Sequence, residues 1–321
     1  MNAVFSFEVD RAISDICLLD HLPTCIPYLS SAACKVLIQT GCIQVDGESV
    51  LNDILLSEGQ KVVYTVPDYE EGEVDTRWKL LWKNDEIAAV QKPANLPVSR
   101  TTRNVYNTLI QILRRESPWP DAHLLHRLDL ETSGIILIGQ TKASASKYQP
   151  NLSSLIQRKV YHAVVKGKPS WEKLDYQCEL NTLKDSAIRC QMHEVDKGKI
   201  SRTKFKIIKT NGQFSIIECQ LMTGRKHQIR AHLSILGYPI VGDKIYSNNG
   251  EFYLKRLQDN TSQQDHAKLI TPHHLLHAYQ IHITPFKSNS DESKNTISEP
   301  LVITNTSYSE AWLSFTEKQG L

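Results

Sequence analysis

Nothing in this chain is long, continuous and apolar. Its 321 residues contain no run of eighteen or more apolar positions, so a membrane-spanning helix is not expected. Residues 1–19 lack a basic start ahead of an apolar core and carry Glu8, Asp10 and Asp15, so no secretory signal is expected there. No pair among the seven cysteines has the C-x-x-C spacing of a zinc or redox site. Four of them, Cys17, Cys25, Cys34 and Cys42, lie in one short segment at spacings of eight and nine that suit a metal poorly. Free, buried thiols in a reducing cytoplasm are the expectation. Internal repeats are absent as well. Cations are scarce in the first 60 residues, where Arg11 and Lys35 stand against eight acidic side chains. The rest of the chain holds 35 basic and 27 acidic residues, and this is where a surface for phosphate backbones would lie.

What is present is an ordinary globular share of apolar residues, 40%, enough for a packed core. Ser30 to Ile38 begins with cap-like serines and has helical apolar spacing, with Gly41 as its stop. Ile43 to Val45 alternates into an Asp46-Gly47 turn, and Gly59 to Tyr64 reads as a second strand. Residues 1–66 therefore read as a small unit, and 67–78, acidic and polar, as a linker to a larger domain over 79–321. In that domain Ile87–Val90, Ile135–Ile138, Val160–Val165, Lys204–Ile208 and Ser215–Leu221 are strand candidates rich in β-branched residues. Helices are expected at Leu109–Leu113, ending before Pro118, and at Lys226–Leu236, stopped by Gly237. Many strands and few long helices indicate an α+β fold on a central mixed or antiparallel sheet. Lys287 to Glu299 is polar and reads as a mobile loop.

The densest chemistry is His126-Arg127-Leu128-Asp129-Leu130-Glu131-Thr132-Ser133-Gly134, which runs into the apolar segment Ile135–Ile138. A carboxylate beside an arginine stays ionised and can act as a nucleophile. The plain alternative is a loop aspartate binding nearby amides before an ordinary turn. The stretch resembles the His-Arg-Leu-Asp-x-x-Thr-Ser-Gly motif of the RluA-type pseudouridine synthases, which isomerise uridine to pseudouridine within RNA. Further segments match in the family's order. Lys92-Pro93 is similar to its early Lys-Pro turn, Lys159-Val160-Tyr161 to its Lys-x-Tyr segment, and Thr223 to Arg230 to its Thr-Gly-Arg-x-His-Gln-Ile-Arg segment. Leu276-His277-Ala278 matches its late Leu-His-Ala signature, which argues against a metal at His273, His274 and His277. The resemblance covers roughly Val63 to Pro285, with a weaker likeness of the first unit to an S4-like RNA-binding module. That module usually has an arginine where this chain has Ser31, and histidine often stands near position 99, where this chain has Ser99.

The resemblance implies Asp129 as the catalytic aspartate, Tyr161 packing on the uracil, and Arg230 pairing with Asp129. Without it, a tyrosine in a strand reads as core and Arg225-Lys226 as a solvated helix end. Arg127 is implied to fill the space left by a uridine turned out of its stack. Lys159, Arg225, Arg100 and Arg103 are candidate RNA contacts, as are Arg114 and Arg115. The isomerisation adds nothing and oxidises nothing, so no cofactor and no metal are expected. Structured RNA is the implied partner, large-subunit ribosomal RNA ahead of transfer RNA, with the protein a cytoplasmic monomer. Two other readings stand beside this one: a non-catalytic RNA-binding protein that keeps the fold, and a carboxylate glycoside hydrolase. The latter needs a paired acid, for which Glu131 is the near candidate.

Overall fold

A computed structural model of the chain describes residues 3–11, 14–25, 30–101, 104–258, 260–286 and 299–321. The chain divides into two compact units, the first made of Met1–Glu73 and Ser99–Thr108, the second of Val74–Val98 and Leu109–Leu321. Arg103 and the 287–298 part of the polar stretch read as a mobile loop lie outside the described residues.

The first unit runs β1 (Ala3–Glu8), α1 (Leu18–Cys25), α2 (Ser31–Gln39), β2 (Ile43–Val45), β3 (Glu48–Val50) and β4 (Lys61–Val66). Its four strands form one sheet in the order β1-β4-β2-β3. Ser30 caps α2, its hydroxyl accepting from Ala33 N at 3.2 Å. The Asp46-Gly47 pair takes φ of 51° and 90°, the double left-handed turn that joins β2 to β3. Leu18, Leu22, Leu37, Ile43 and Val62 fill the core. Glu71, in the stretch read as an acidic linker, is built into this unit. Its carboxylate accepts from the amides of Val105, Tyr106 and Asn107 at 2.6–2.8 Å.

The second unit begins with β5 (Lys79–Lys83), β6 (Ile87–Lys92), α3 (Leu109–Glu116), β7 (His123–Leu124), β8 (Ser133–Gly139), α4 (Lys142–Tyr148) and α5 (Leu152–Leu155). It continues with β9 (Ile156–Lys166), β10 (Lys173–Asn181), β11 (His193–Glu194), β12 (Lys199–Thr210), β13 (Phe214–Leu221) and α6 (Gln228–Ile235). Then come α7 (Glu251–Leu257), α8 (Gln263–Leu269), β14 (Leu276–Ile283), β15 (Leu301–Thr304) and α9 (Glu310–Gln319). Among the described residues eleven strands form one sheet, with the path β11-β10-β12-β13-β9-β14-β8-β6-β5; β15 pairs with β14 and β7 with β8. Every pairing is antiparallel except β14 with β8, so the sheet is mixed and the α+β expectation holds.

Alternation sorts this sheet into two faces. On one, Tyr161, Ala163, Phe205, Ile217 and Cys219 pack with Ile229 and Leu233 of α6 and with α3. On the other, Val164, Phe214 and Ile216 meet Trp312 and Phe315 of α9. Each buried aliphatic or aromatic side chain of this kind contributes roughly 1.5–3 kcal/mol of transfer free energy. The parallel β14–β8 register sets Ser133 against His277 and Gly134 against Ala278. It delivers the loop ahead of β8, which carries Asp129, to the N-terminal end of α6.

Candidate active site

Asp129 sits in the short loop between β7 and β8, with its side chain 29% exposed. That loop has a buried anchor. Lys92, at the end of β6, is fully buried, and its ammonium donates to the carbonyls of Pro93, Leu96 and Leu130 at 2.8–2.9 Å. Burial pushes the Lys92 ammonium down to about 7, opposed by the charges of Asp129 and Glu131. Behind the loop, Thr132 Oγ1 is hydrogen-bonded to His274 Nε2 and Ser133 Oγ to His277 Nδ1, both at 2.8 Å. His277 Nε2 faces the Asn305 carbonyl at 3.0 Å. His277 thus joins β8 to β14, and His274 binds the turn just ahead of β8. Among the described residues no cluster of three His, Cys, Asp or Glu has the geometry of a metal site.

Arg230, on the first turn of α6, is 5% exposed and is held from both sides. Its Nη1 donates to Asp129 Oδ2 at 2.8 Å. Its Nε and Nη2 form a fork on Asp243 at 2.6 and 2.9 Å. Asp243 is fully buried and also accepts from the amides of Ile245 and Tyr246 at 2.9 and 3.0 Å. The Tyr246 ring lies 5.2 Å from the guanidinium carbon. Burial pushes the Asp243 carboxyl up, but Arg230 outweighs it and holds the group down at about 2. For Asp129 burial again pushes up, and Arg230, with help from His227 and His274, carries the carboxyl below its ordinary value. The acid at 129 is therefore an anion at neutral pH.

Two further groups face that anion. His227 Nε2 lies 3.8 Å from Asp129 Oδ1. Its backbone is left-handed, φ 53°, at the N-cap of α6. Burial and the charge of Arg230 push the imidazole down to about 4, so it is neutral at pH 7. Tyr161, on β9 between Cys219 and Ala278, is 9% exposed. Burial and then the Asp129 charge push its phenol up, so it keeps its proton. Gln228 locks the approach to the helix. Its Oε1 accepts from Thr223 Oγ1 and Arg225 N, and its Nε2 donates to Arg202 O and Thr203 Oγ1, all at 2.8–3.0 Å.

The structure thus brings Asp129, Tyr161 and Arg230 to one place. Lys159 lies two residues before Tyr161 on β9, half-buried, and its charge helps burial push His126 down to about 3. His126 Nε2 accepts from Leu137 N at 3.0 Å. Arg127 is exposed two residues from Asp129. Arg225 is exposed in the turn before α6, its Nε donating to Ile200 O at 3.0 Å. Arg114 donates to the Ala122 carbonyl at 2.9 Å, which ties it to its own fold. Arg100 is exposed and belongs to the first unit. Glu131 is 8% exposed and bound by Lys244 Nζ and by His274 N at 3.1 Å. Burial pushes the Glu131 carboxyl up, but His273, His274 and Lys244 drive it well below the carboxylate range. Glu131 is occupied by the Lys244 ammonium and the His274 amide, so it is not free to protonate a leaving sugar, and the glycoside hydrolase reading loses its acid. Sequence reasoning missed Asp243, Tyr246 and the placement of His227. The signal for Asp243 was indirect: an arginine inside an apolar helix stripe needs a buried carboxylate, and Gly242-Asp243-Lys244 offers one soon after.

The family model described as RNA pseudouridylate synthase matches residues 86–235. Over 213 residues the chain is 30% identical to an uncharacterized RNA pseudouridine synthase of Synechocystis, covering 66% of this chain and 73% of that one. It is 31% identical over 215 residues to human pseudouridylate synthase RPUSD2, covering 67% of this chain but only 39% of the human protein's length. It is 27% identical over 273 residues to ribosomal large subunit pseudouridine synthase D of Nitrosomonas europaea, covering 81% of this chain and 74% of that one. Among solved structures, human RNA pseudouridylate synthase domain containing 4 superposes with a TM-score of 0.55 at 22% identity, over 75% of this chain and 92% of that one.

Proposed function

Because the chain belongs to the RNA pseudouridine synthase family, we propose that it isomerises uridine to pseudouridine in structured RNA, with large-subunit ribosomal RNA as the target. The observation that carries the reading is a carboxylate kept ionised and aimed by a buried guanidinium, with a protonated phenol beside it. The reaction breaks the bond from ribose C1′ to uracil N1, turns the base, and joins C1′ to C5. Asp129 is the nucleophile, or the anion facing positive charge at C1′. Arg230 is its positioning partner, and Asp243 fixes Arg230 in turn. Tyr161 covers the uracil with a protonated hydroxyl beside the base; C5 gives up its proton last and N1, freed from the ribose, takes one up, so the isomerisation balances with no proton gained or lost overall. His227 is neutral and near enough to steer the free Asp129 oxygen.

The uridine must leave its stack to reach this loop, at a cost of a few kcal/mol that is smallest in RNA loops. Arg127, exposed beside the site, fills the vacated place, and Lys159, Arg225 and Arg100 contact the RNA. The ribosomal target draws on the relative named for the large subunit and on an S4-like role for the first unit, which precedes the catalytic region in sequence and is completed by its residues 99–108. The proposed compartment is the cytoplasm, in keeping with six described cysteines that are all free thiols. No described helix is long and apolar enough to cross a membrane.

The test uses RNA tritiated at uracil C5. Wild type releases label, while Asp129→Asn binds the same RNA, keeps its fold by circular dichroism and releases none. Binding by both proteins with release from neither would replace this reading with that of a non-catalytic RNA-binding protein. Pseudouridine mapping in cells lacking the protein then identifies the uridine.

A further inference from the structure

We propose that the uncovered face of strands β10, β12 and β13 is a second RNA-binding surface, taking the phosphate backbone that runs on from the target nucleotide past Arg225. The inference rests on the RNA-directed reading above. It concerns a surface on the side of the sheet opposite α6 and the Asp129 loop.

Three observations carry it. First, α9 covers only part of that face. Phe315 packs on Phe214 and Ile216 at the start of β13, and the polar Glu218 and Gln220 farther along belong to no apolar cluster. The neighbouring face of β12 presents Arg202, Lys204 and Lys206, alternating with buried Ser201, Thr203 and Phe205. A shallow depression of about 300 Å³ lies there, lined by Lys173, Lys204 and Lys206 together with Asp175, Glu218 and Gln220.

Second, cations outnumber acids on this face, with Lys173, Arg202, Lys204 and Lys206 against Asp175 and Glu218. Lys173 stands directly opposite Lys206 in the β10–β12 register, while Lys206 faces Glu218 across β13 and Lys204 faces Asp175 across β10. Like charges opposed across a ladder destabilise it. The two acids of the depression are already held by arginines: Asp175 by Arg202 at 2.7 and 2.9 Å, Glu218 by Arg158 at 3.2 Å. Lys204 reaches Asp175 only at 3.9 Å, and among the described residues Lys173 and Lys206 form no ion pair. A polyanion laid on this face relieves that repulsion and releases its own counterions.

Third, the strip is continuous with the site's rim. Arg225 donates to the Ile200 carbonyl of β12 at 3.0 Å, and Arg202 N donates to Thr223 Oγ1 at 2.9 Å. The turn that leads into α6, and so to Arg230, is fastened to the near end of the lysine row. Side chains two apart on a strand are spaced by ~6.6–6.8 Å, which suits contacts to successive phosphates of an extended strand.

The experiment compares wild type with the triple variant Lys173→Gln, Lys204→Gln, Lys206→Gln, all exposed positions. Two RNAs that wild type converts are used, one a minimal loop and the other the same loop with long single-stranded flanks. For the flanked RNA the variant is expected to lose about tenfold in affinity, and its log K against log salt slope to flatten by about 2, at ~0.7 for each of three phosphates. The turnover number at saturating RNA and affinity for the minimal loop stay at wild-type values, and the thermal midpoint does not fall. Flanked-RNA affinity within twofold of wild type, or an equal loss for both RNAs, overturns the proposal. Failure of the underlying reading is seen separately, as wild type that releases no label from either RNA.

Discussion

At the scale of single residues the site is a chain of charge, Asp129 to Arg230 to Asp243, in which the middle member is the least replaceable. Burial acts to protonate Asp129, and Arg230 opposes it. A carboxyl with a depressed value loses its charge only when pH falls below the ordinary carboxylate range. Activity limited by the Asp129 anion should thus hold level from neutrality through the mildly acidic range, with its acid limb below the ordinary carboxylate value. Arg230→Gln removes the opposing cation and leaves burial, so the acid limb of the rate profile moves to higher pH. Label release measured from pH 4 to 8 reads the displacement, and an unmoved limb would show that Arg230 does not set the charge at 129. Asp243→Asn leaves the buried guanidinium short of a counter-charge, at a cost of about 3–5 kcal/mol in stability. The native Asp243 carboxyl lies near 2 against an ordinary 3.8. Its contribution is therefore complete above the ordinary value and fades as pH falls toward 2, which acid unfolding of wild type and Asp243→Asn would resolve. Asp129 could be singled out from the sequence because its motif is local. Asp243 is marked only indirectly, by the need of a helix arginine for a buried carboxylate, since that partner lies 13 positions away.

At the scale of elements, two strands that meet side by side explain why the Thr-Ser-Gly turn tolerates so little. Gly134 has φ +110°, and a Cβ there would lie 2.6 Å from the Ala278 nitrogen and 2.8 Å from its carbonyl carbon. Backbone atoms of a central strand cannot retreat, so Gly134→Ala adds both torsional strain and a clash, at roughly 1–3 kcal/mol each. A lower denaturation midpoint is expected, together with a fall in turnover, because the same junction positions Asp129. A variant with wild-type stability would mean that β8 and β14 can separate without consequence. The strands built on β-branched runs, β6, β8, β9, β12 and β13, were legible because their side chains are buried on one or both faces. β10 was not, since Lys173-Leu174-Asp175-Tyr176-Gln177 alternates apolar with charged residues that the loop signals around it obscure. β14 was read for its histidines, not as a strand; His277 is buried there because Ser133 and the Asn305 carbonyl supply its partners across the sheet. Partners that distant leave no periodic trace.

At the scale of the whole molecule, charge separates along the chain. Two basic residues stand among the first 60, and 35 follow. An S4-like module that grips RNA needs cations on its exposed helix face. On α2 that face offers Lys35 alone, alongside exposed Val36, while Leu37 and Ile38 turn into the core. One lysine neutralises one phosphate, and losing it should flatten the salt slope by no more than about 0.7–0.9. Lys35→Gln is thus expected to change RNA affinity by less than threefold near physiological salt and to leave turnover untouched. Titrations of the flanked and minimal RNAs with the intact chain would measure both. A loss of tenfold or more from this single substitution would move the main RNA-gripping surface to the first unit, against the charge count. It would also require α2 to act through shape and hydrogen bonding from Ser31, Lys35 and Gln39, because the eight acidic residues among the first 60 repel the same backbone that Lys35 attracts.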